Sequence, residues 1–141
     1  MLRSTGLRCK KLTPRRVLSE RLALLIWAAT PDRPELVVTP LVHALAALAL
    51  DAEVEIHFAG PAVRWLVPGV AENAWATPDR EKSIASFLND VAAHGGHFFA
   101  CGMARAAWIG DSEVLRPDAG AAGATAFIAR SLDPAWTSLV Y

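Results

Sequence analysis

A nearly continuous apolar run near the start of the chain sets the strongest limit on its fold. The run RLALLIWAAT extends from Arg21 to Thr30 and stops at Pro31. A strand that is apolar at almost every position is typical of the centre of a parallel sheet that helices cover on both faces. A second run of this kind, HFFAC from His97 to Cys101, indicates another central strand. Two such strands favour an α/β fold.

Helical patterns separate the strand-like segments. Apolar residues recur at helical spacing from Glu35 to Leu50, and a second helix is predicted from the N-cap residue Thr77 to Gly95. Beyond Cys101, the patterns predict a helix from Met103 to Ile109, a strand at 119–122, a helix at 125–132 and a strand at 136–141. This alternation predicts βαβ units and a parallel five-stranded sheet.

The segment AEVEIHFAG, at 52–60, alternates strictly between apolar and polar residues. Its polar residues Glu53, Glu55 and His57 share one face, which predicts a half-exposed strand at the edge of the sheet. With the first and third strands central, we predict a three-layer, flavodoxin-like fold with strand order 2-1-3-4-5. His57 is then expected on an outward face, where it could serve a subunit interface.

Cys101 ends the third predicted strand. In the predicted order, the direction in which the chain winds reverses between strands one and three. The loops that leave these two strands then diverge and form a crevice, which is where open α/β sheets bind ligands. Backbone amides and the positive end of the helix dipole favour a thiolate at the first turn of the following helix, and Arg105 could add a positive charge. The predicted site comprises Cys101 as the catalytic residue, with Gly102, Met103, Arg105, Ala29 and Thr30 as ligand-binding residues.

Two interpretations of Cys101 remain open at this point. A thiolate can attack another sulfur atom and hold the product as a persulfide. Free cysteine is also among the most buried residue types, and a cysteine that ends an apolar strand is often inert packing. His97 begins the same strand at the opposite end of the sheet, so it is a poor candidate for a general base.

Charge and length exclude several classes of function. The 141 residues carry 14 basic and 14 acidic side chains, but six basic residues and no acidic ones precede Glu20. Residues 1–19 are predicted to form a basic tail, flexible or packed on a neighbour, and residues 20–141 a single domain. The acidic balance of that domain argues against nucleic-acid binding. No apolar run reaches the roughly 18 residues of a membrane span.

The chain offers no motif for a bound metal or organic cofactor. Neither zinc-ligand spacing of Cys and His, nor a P-loop, nor GxGxxG is present, so we predict no metal and no cofactor. Cys9 and Cys101 do not resemble a disulfide framework, which favours a reducing compartment, the cytoplasm. Because 53% of the residues are hydrophobic, surplus apolar surface predicts a homo-oligomer.

Most of the chain, from about Arg21 to Tyr141, resembles the DsrE/DsrF-like sulfur-relay family. The resemblance rests on FFACGMARAAWIG followed by VLRPDAGAAGATAFIARSLDPAWTSLVY, and on IHFAGPAVRWLV before them. It implies a flavodoxin-like fold without flavin, assembly as a trimer or hexamer, and sulfur carried as a persulfide on Cys101. Ala119 departs from the glycine that often occupies its turn, and the basic leader has no counterpart in the family.

Two functional hypotheses follow. In the first, the protein is a small sulfurtransferase or sulfur carrier, in which Cys101 relays sulfane sulfur from a donor protein to an acceptor protein. In the second, the same fold is a non-catalytic oligomeric module that binds a small ligand or a partner in the crevice. The second hypothesis predicts that replacing Cys101 with serine leaves ligand binding unchanged.

Overall fold

Five parallel strands form a single sheet in this computed structural model, which describes residues 20–141. The strands are β1 Arg21–Ile26, β2 Glu53–Phe58, β3 His97–Ala100, β4 Ala119–Ala121 and β5 Trp136–Val140. The α-helices are α1 Glu35–Ala49, α2 Ile84–Ala93, α3 Gly102–Trp108 and α4 Ala124–Leu132, and short 3₁₀ helices span Gly60–Leu66 and Ala71–Asn73. The predicted basic tail at 1–19 and Cys9 lie outside the described residues.

Helices cover the two faces of the sheet unequally. One face carries the large core, in which Leu24, Ile56 and Phe98 pack with side chains of α1 and α2 and are almost fully buried. Helix α4 packs on the opposite face, against β1 and β5, around Phe127 and Trp136. The predicted class, a three-layer α/β fold with a parallel five-stranded sheet, is confirmed.

The predicted strand order is wrong for β2. The order is β4-β3-β2-β1-β5, so β2 lies in the centre, hydrogen-bonded to both β1 and β3. Its polar residues Glu55 and His57 are each only 5% exposed, because α4 covers them and supplies Arg130 as an ionic partner. The alternation therefore marks a face with buried charge, not an edge, and the partner that neutralises this charge lies 75 residues further along the chain.

Helix α2 begins later than Thr77. Its N-cap is Ser83, whose hydroxyl accepts a hydrogen bond from the amide of Ser86 at 3.1 Å. Thr77 instead starts a turn, in which Arg80 has a positive φ of 57° that no helix continues. The prediction failed because Thr-Pro-Asp suits a turn as well as a helix start.

Candidate functional site

Cys101 lies between the end of β3 and the start of α3. Its amide donates to the carbonyl oxygen of Phe58 at 3.0 Å, which extends the ladder between β2 and β3 by one residue. Its own carbonyl oxygen accepts the amide of Arg105 at 2.8 Å and closes the first turn of α3. Just beyond the strand, Cys101 packs against the large core and also lines a pocket on the face covered by α4. The residue is half-buried.

The thiol lines a pocket of about 350 Å³. The pocket lies at the carboxyl ends of the strands, between the sheet and the first turns of α4. Its lining is almost wholly apolar and comprises Leu25, His57, Phe58, Ala59, Cys101, Ala122, Gly123, Ala124, Phe127, Ile128 and Val140. Cys101 and His57 are the titratable side chains in this wall. The site can therefore hold a small, mostly apolar molecule against a thiol and an imidazole.

Glu55, His57 and Arg130 form a hydrogen-bonded ionic group beneath this pocket. The guanidinium of Arg130 donates two hydrogen bonds to the carboxylate of Glu55, from Nε to Oε2 at 3.0 Å and from Nη2 to Oε1 at 2.9 Å. Nε2 of His57 lies 3.1 Å from the same Oε2. The imidazole stacks on Phe99, with ring centroids 5.1 Å apart, and meets the edge of Phe127 at 5.5 Å. These contacts hold the imidazole in one orientation.

Burial and hydrogen bonding shift the pKa values of both Glu55 and His57. Burial alone raises the pKa of Glu55, but the hydrogen bonds from Arg130 and His57 outweigh it and hold that pKa below its ordinary value of 4.5. Burial is the largest effect on His57 and lowers its pKa below the ordinary 6.5, although the Glu55 carboxylate acts in the opposite direction. Near neutral pH the group therefore contains a carboxylate, a guanidinium and a neutral imidazole.

A match to a protein-family model identifies the family of this chain. The model of the DsrE/DsrF-like family matches residues 23–134, which is most of the chain. The chain belongs to the DsrE/DsrF-like family. The predicted resemblance is thus confirmed, and the matched segment contains Cys101 together with Glu55, His57 and Arg130.

The fold of this DsrE/DsrF-like domain is also found among solved structures. The crystal structure of the ychN protein from E. coli superposes with a TM-score of 0.69 at 13% sequence identity. The superposition covers 86% of this chain and 98% of that protein. At this identity the likeness shows the common fold. No curated protein matches the sequence.

The structure brings Cys101 into the pocket but places the other predicted site residues elsewhere. Gly102 and Arg105 line a separate depression, shared with Glu113. Met103 is 85% exposed on the surface of α3. Ala29 is buried in the large core, where its carbonyl oxygen accepts the indole N–H of Trp65 at 2.7 Å, and Thr30 hydrogen-bonds Asp32. Their roles in ligand binding stay predictions.

The separation of Ala29 and Thr30 from Cys101 follows from the strand order. The chain leaves β1 towards α1, on the face of the large core, whereas the Cys101 pocket opens on the face of α4. In the expected order, strands one and three were neighbours and their loops bordered one crevice. In the observed order β2 separates them, so the loop after β1 contributes no wall to this pocket.

Sequence reasoning missed the pocket residues on α4 and the pairing of Arg130 with Glu55. Phe127 and Ile128 looked like ordinary helix residues, and no local pattern connects Arg130 with a strand so far away. One signal was available. Glu55 and His57 share a face of β2, and placing β2 beside β3 would have set that face next to Cys101.

Between residues 20 and 141, no three His, Cys, Asp or Glu side chains converge on a point that could hold a metal ion. None of the helices in this same stretch combines the length and the apolar character that crossing a membrane demands.

Because of the ionic group, we predict that the stability of the fold decreases as the pH falls. Unfolded His57 takes up a proton near pH 6.5, whereas folded His57, with its lowered pKa, resists it, so stability is lost as pH falls through 6.5 towards the folded pKa. The lowered pKa of Glu55 adds a further loss below pH 4.5. Urea unfolding at pH 7.5 and pH 5.5 is expected to show a larger loss for wild type than for His57→Gln.

The matched control is His97→Gln, which changes an exposed histidine at the other end of the sheet. This variant is expected to keep the wild-type loss of stability between the two pH values. An equal loss of stability in wild type and His57→Gln would contradict a lowered pKa for His57 in the folded state.

Proposed function

We propose that this domain is a sulfur carrier of the sulfurtransferase type, in which Cys101 accepts sulfane sulfur as a persulfide and passes it to an acceptor thiol. The observation that carries the proposal is the position of Cys101, a half-buried free thiol that lines an apolar pocket in a DsrE/DsrF-like domain. Apolar walls shield a persulfide from bulk water while leaving one side open to a donor or an acceptor.

The start of α3 leaves the sulfur of Cys101 without a capping role. Gly102 and Met103 open the helix, and amides in the first turn of a helix have no partner within it. Cys101 itself is the N-cap, and its side chain makes no capping hydrogen bond. The sulfur is therefore not committed to the helix and is free to react with a molecule in the pocket.

The pocket lining favours one class of sulfur donor. No lysine or arginine is among the described residues that line it, and the guanidinium of Arg130 is committed to Glu55. A doubly charged donor such as thiosulfate would lose hydration in this pocket without gaining a cationic partner. A persulfide on a small thiol or on a protein thiol suits the apolar wall. We therefore assign persulfides as the donor class.

Mass spectrometry tests the proposal. Incubation of the reduced protein with a small-molecule persulfide is expected to add one sulfur atom to Cys101, and a later excess of acceptor thiol is expected to remove it. Cys101→Ser is expected to lose the adduct completely, because it lacks the nucleophile. Thiosulfate at the same concentration is expected to load the protein more slowly.

Cys9→Ser provides the matched control, because it removes the other thiol of the chain and leaves the proposed nucleophile in place. This variant is expected to form the adduct like wild type. An adduct that survives in Cys101→Ser, or a folded wild-type protein that takes up no sulfur, would contradict the proposal.

The apolar lining also supports the second candidate function, a non-catalytic module that binds a small apolar ligand. Phe127, Ile128, Leu25 and Val140 form such a wall without any contribution from sulfur chemistry. Under this alternative, Cys101→Ser binds the same ligand with unchanged affinity. The sulfur-loading experiment separates the two, since only a carrier loses its function in that variant.

Assembly and compartment complete the proposal. Four exposed apolar side chains on α4 and β5 support a homo-oligomer: Ile128, Leu132, Leu139 and Val140. The family resemblance implies three or six copies. The donor and the acceptor are expected to be other proteins of a sulfur relay. A reducing compartment, the cytoplasm, would keep Cys101 as a free thiol between turnovers.

A further inference from the structure

The buried ionic group beside the Cys101 pocket costs desolvation energy, and apolar side chains could fill the same space in this fold. Glu55 and His57 are each 5% exposed, in the middle of the sheet. Burying a carboxylate with its partners is often no more stabilising than packing apolar side chains of similar volume. The neighbouring strands already present Leu25 and Phe99 on this face. A role at the pocket explains why the polar group is there.

Hydrogen bonding fixes which nitrogen of His57 carries the proton. The Glu55 carboxylate is held ionised by two hydrogen bonds from Arg130, and an ionised carboxylate can only accept. Since Nε2 of His57 contacts this carboxylate at 3.1 Å, Nε2 is the donor. In the neutral imidazole the other nitrogen, Nδ1, then carries a free lone pair.

That lone pair opens into the pocket. No buried side-chain nitrogen or oxygen among the described residues lacks a hydrogen-bond partner. Within residues 20–141 the one hydrogen bond of the His57 side chain is made by Nε2, so Nδ1 has none and must reach solvent. The open space that His57 borders is the pocket it shares with Cys101.

Strand register places His57 near Cys101. His57 is in register with Phe99, and Cys101 follows Phe99 by two residues, directly after the strand ends. Strand spacing and rise put the Cα atoms of His57 and Cys101 about 8 Å apart. The two side chains make no direct hydrogen bond, but both residues border one pocket, in which a single water molecule could carry a proton between them.

We propose that His57 is the proton acceptor and donor of the sulfur-transfer step at Cys101, with Glu55 and Arg130 as its positioning residues. This inference rests on the proposed function. The Cys101 thiol gives its proton to Nδ1, and Sγ attacks the outer sulfur of the donor persulfide. A new bond forms between Sγ and that sulfur, the sulfur–sulfur bond of the donor breaks, and the departing thiolate takes the proton back from His57. No oxidant or reductant is consumed.

The electrostatics of the pocket agree with this role. The charged groups that face His57 are Glu55, from its own strand, and Arg130, from α4, whereas β3 and α4 otherwise contribute Phe99 and Phe127. Burial lowers the pKa of His57, so the imidazole is neutral and able to accept a proton at physiological pH.

The rate of sulfur loading on Cys101 as a function of pH tests the inference. At pH 7, His57→Gln is expected to load persulfide sulfur about 100-fold more slowly than wild type, the lower end of the usual range for general acid–base catalysis. The final extent of loading is expected to be the same. The difference is expected to shrink at high pH, where hydroxide ionises the thiol, and at low pH, where His57 is protonated. His97→Gln is expected to match wild type throughout.

The outcomes separate the two proposals. If folded wild type takes up no sulfur, the relay fails and the role of His57 falls with it. If wild type loads sulfur and His57→Gln follows the same pH profile, only the role of His57 is overturned. Nitrogen-15 NMR of the wild-type imidazoles needs no variant, and a neutral His57 with its proton on Nδ1 would also overturn that role.

Discussion

Arg130→Met is expected to destabilise the domain by about 3 kcal/mol, the lower end of the cost of breaking a buried ion pair. The substitution removes both hydrogen bonds from the guanidinium to Glu55, whose side chain is only 7% exposed. The remaining carboxylate would lie in the sheet with His57 as its partner. Because the Arg130 side chain is 41% exposed, water reaches part of this pair and keeps the cost below the upper end.

Two comparisons isolate this effect in equilibrium urea unfolding. Arg33→Met breaks an exposed ion pair with Glu35 and is expected to cost less than about 1 kcal/mol. The double variant Glu55→Met with Arg130→Met removes both charges and is expected to recover most of the lost stability. Equal effects of Arg130→Met and Arg33→Met would show that the buried pair has no special energetic weight.

Trp65→Ala is expected to be more damaging still, at about 4 kcal/mol, the usual cost of emptying a buried aromatic site. Trp65 is 1% exposed in the large core. Its indole N–H donates to the carbonyl oxygen of Ala29 at 2.7 Å and so ties the 3₁₀ helix Gly60–Leu66 to the segment after β1. The substitution leaves a cavity and a buried carbonyl without a partner.

Trp65→Phe is the matched control, because it keeps most of the ring volume and removes the indole N–H. It is expected to cost about 1–2 kcal/mol, which is a lost hydrogen bond with some lost packing. Urea unfolding measures both variants. A similar cost for phenylalanine and alanine would assign the stabilisation to the hydrogen bond and not to packing of the ring.

Local patterns predicted most of the helices and strands, because each of them depends on a hydrophobic pattern within a short window of sequence. The apolar run at Arg21 became β1, the periodic segment at Glu35 became α1, and HFFA became β3. The place of Cys101 after β3 followed from the same reasoning. Each prediction used residues that lie close together in the chain.

The failures involve contacts between distant residues. Alternation on β2 was interpreted as exposure because the sequence does not show that Arg130 will neutralise Glu55. That error moved β2 to an edge, and the edge position in turn assigned Ala29 and Thr30 to the same crevice as Cys101. The walls contributed by α4 were missed for the same reason. Strand order, which depends on pairing across the whole chain, decides which residues share a site.

The pairing of β1 with β5 has a consequence for biosynthesis. β1 is among the first described residues, but its partner on one side is residues 136–140, and the amides of Trp27 and Ala28 bond to the carbonyl oxygen of Tyr141. During translation, β1 therefore has an unsatisfied side until the last part of this sequence leaves the ribosome. Throughout that interval one edge of an apolar strand stays unpaired, and the sheet is complete only once residues 136–140 have emerged.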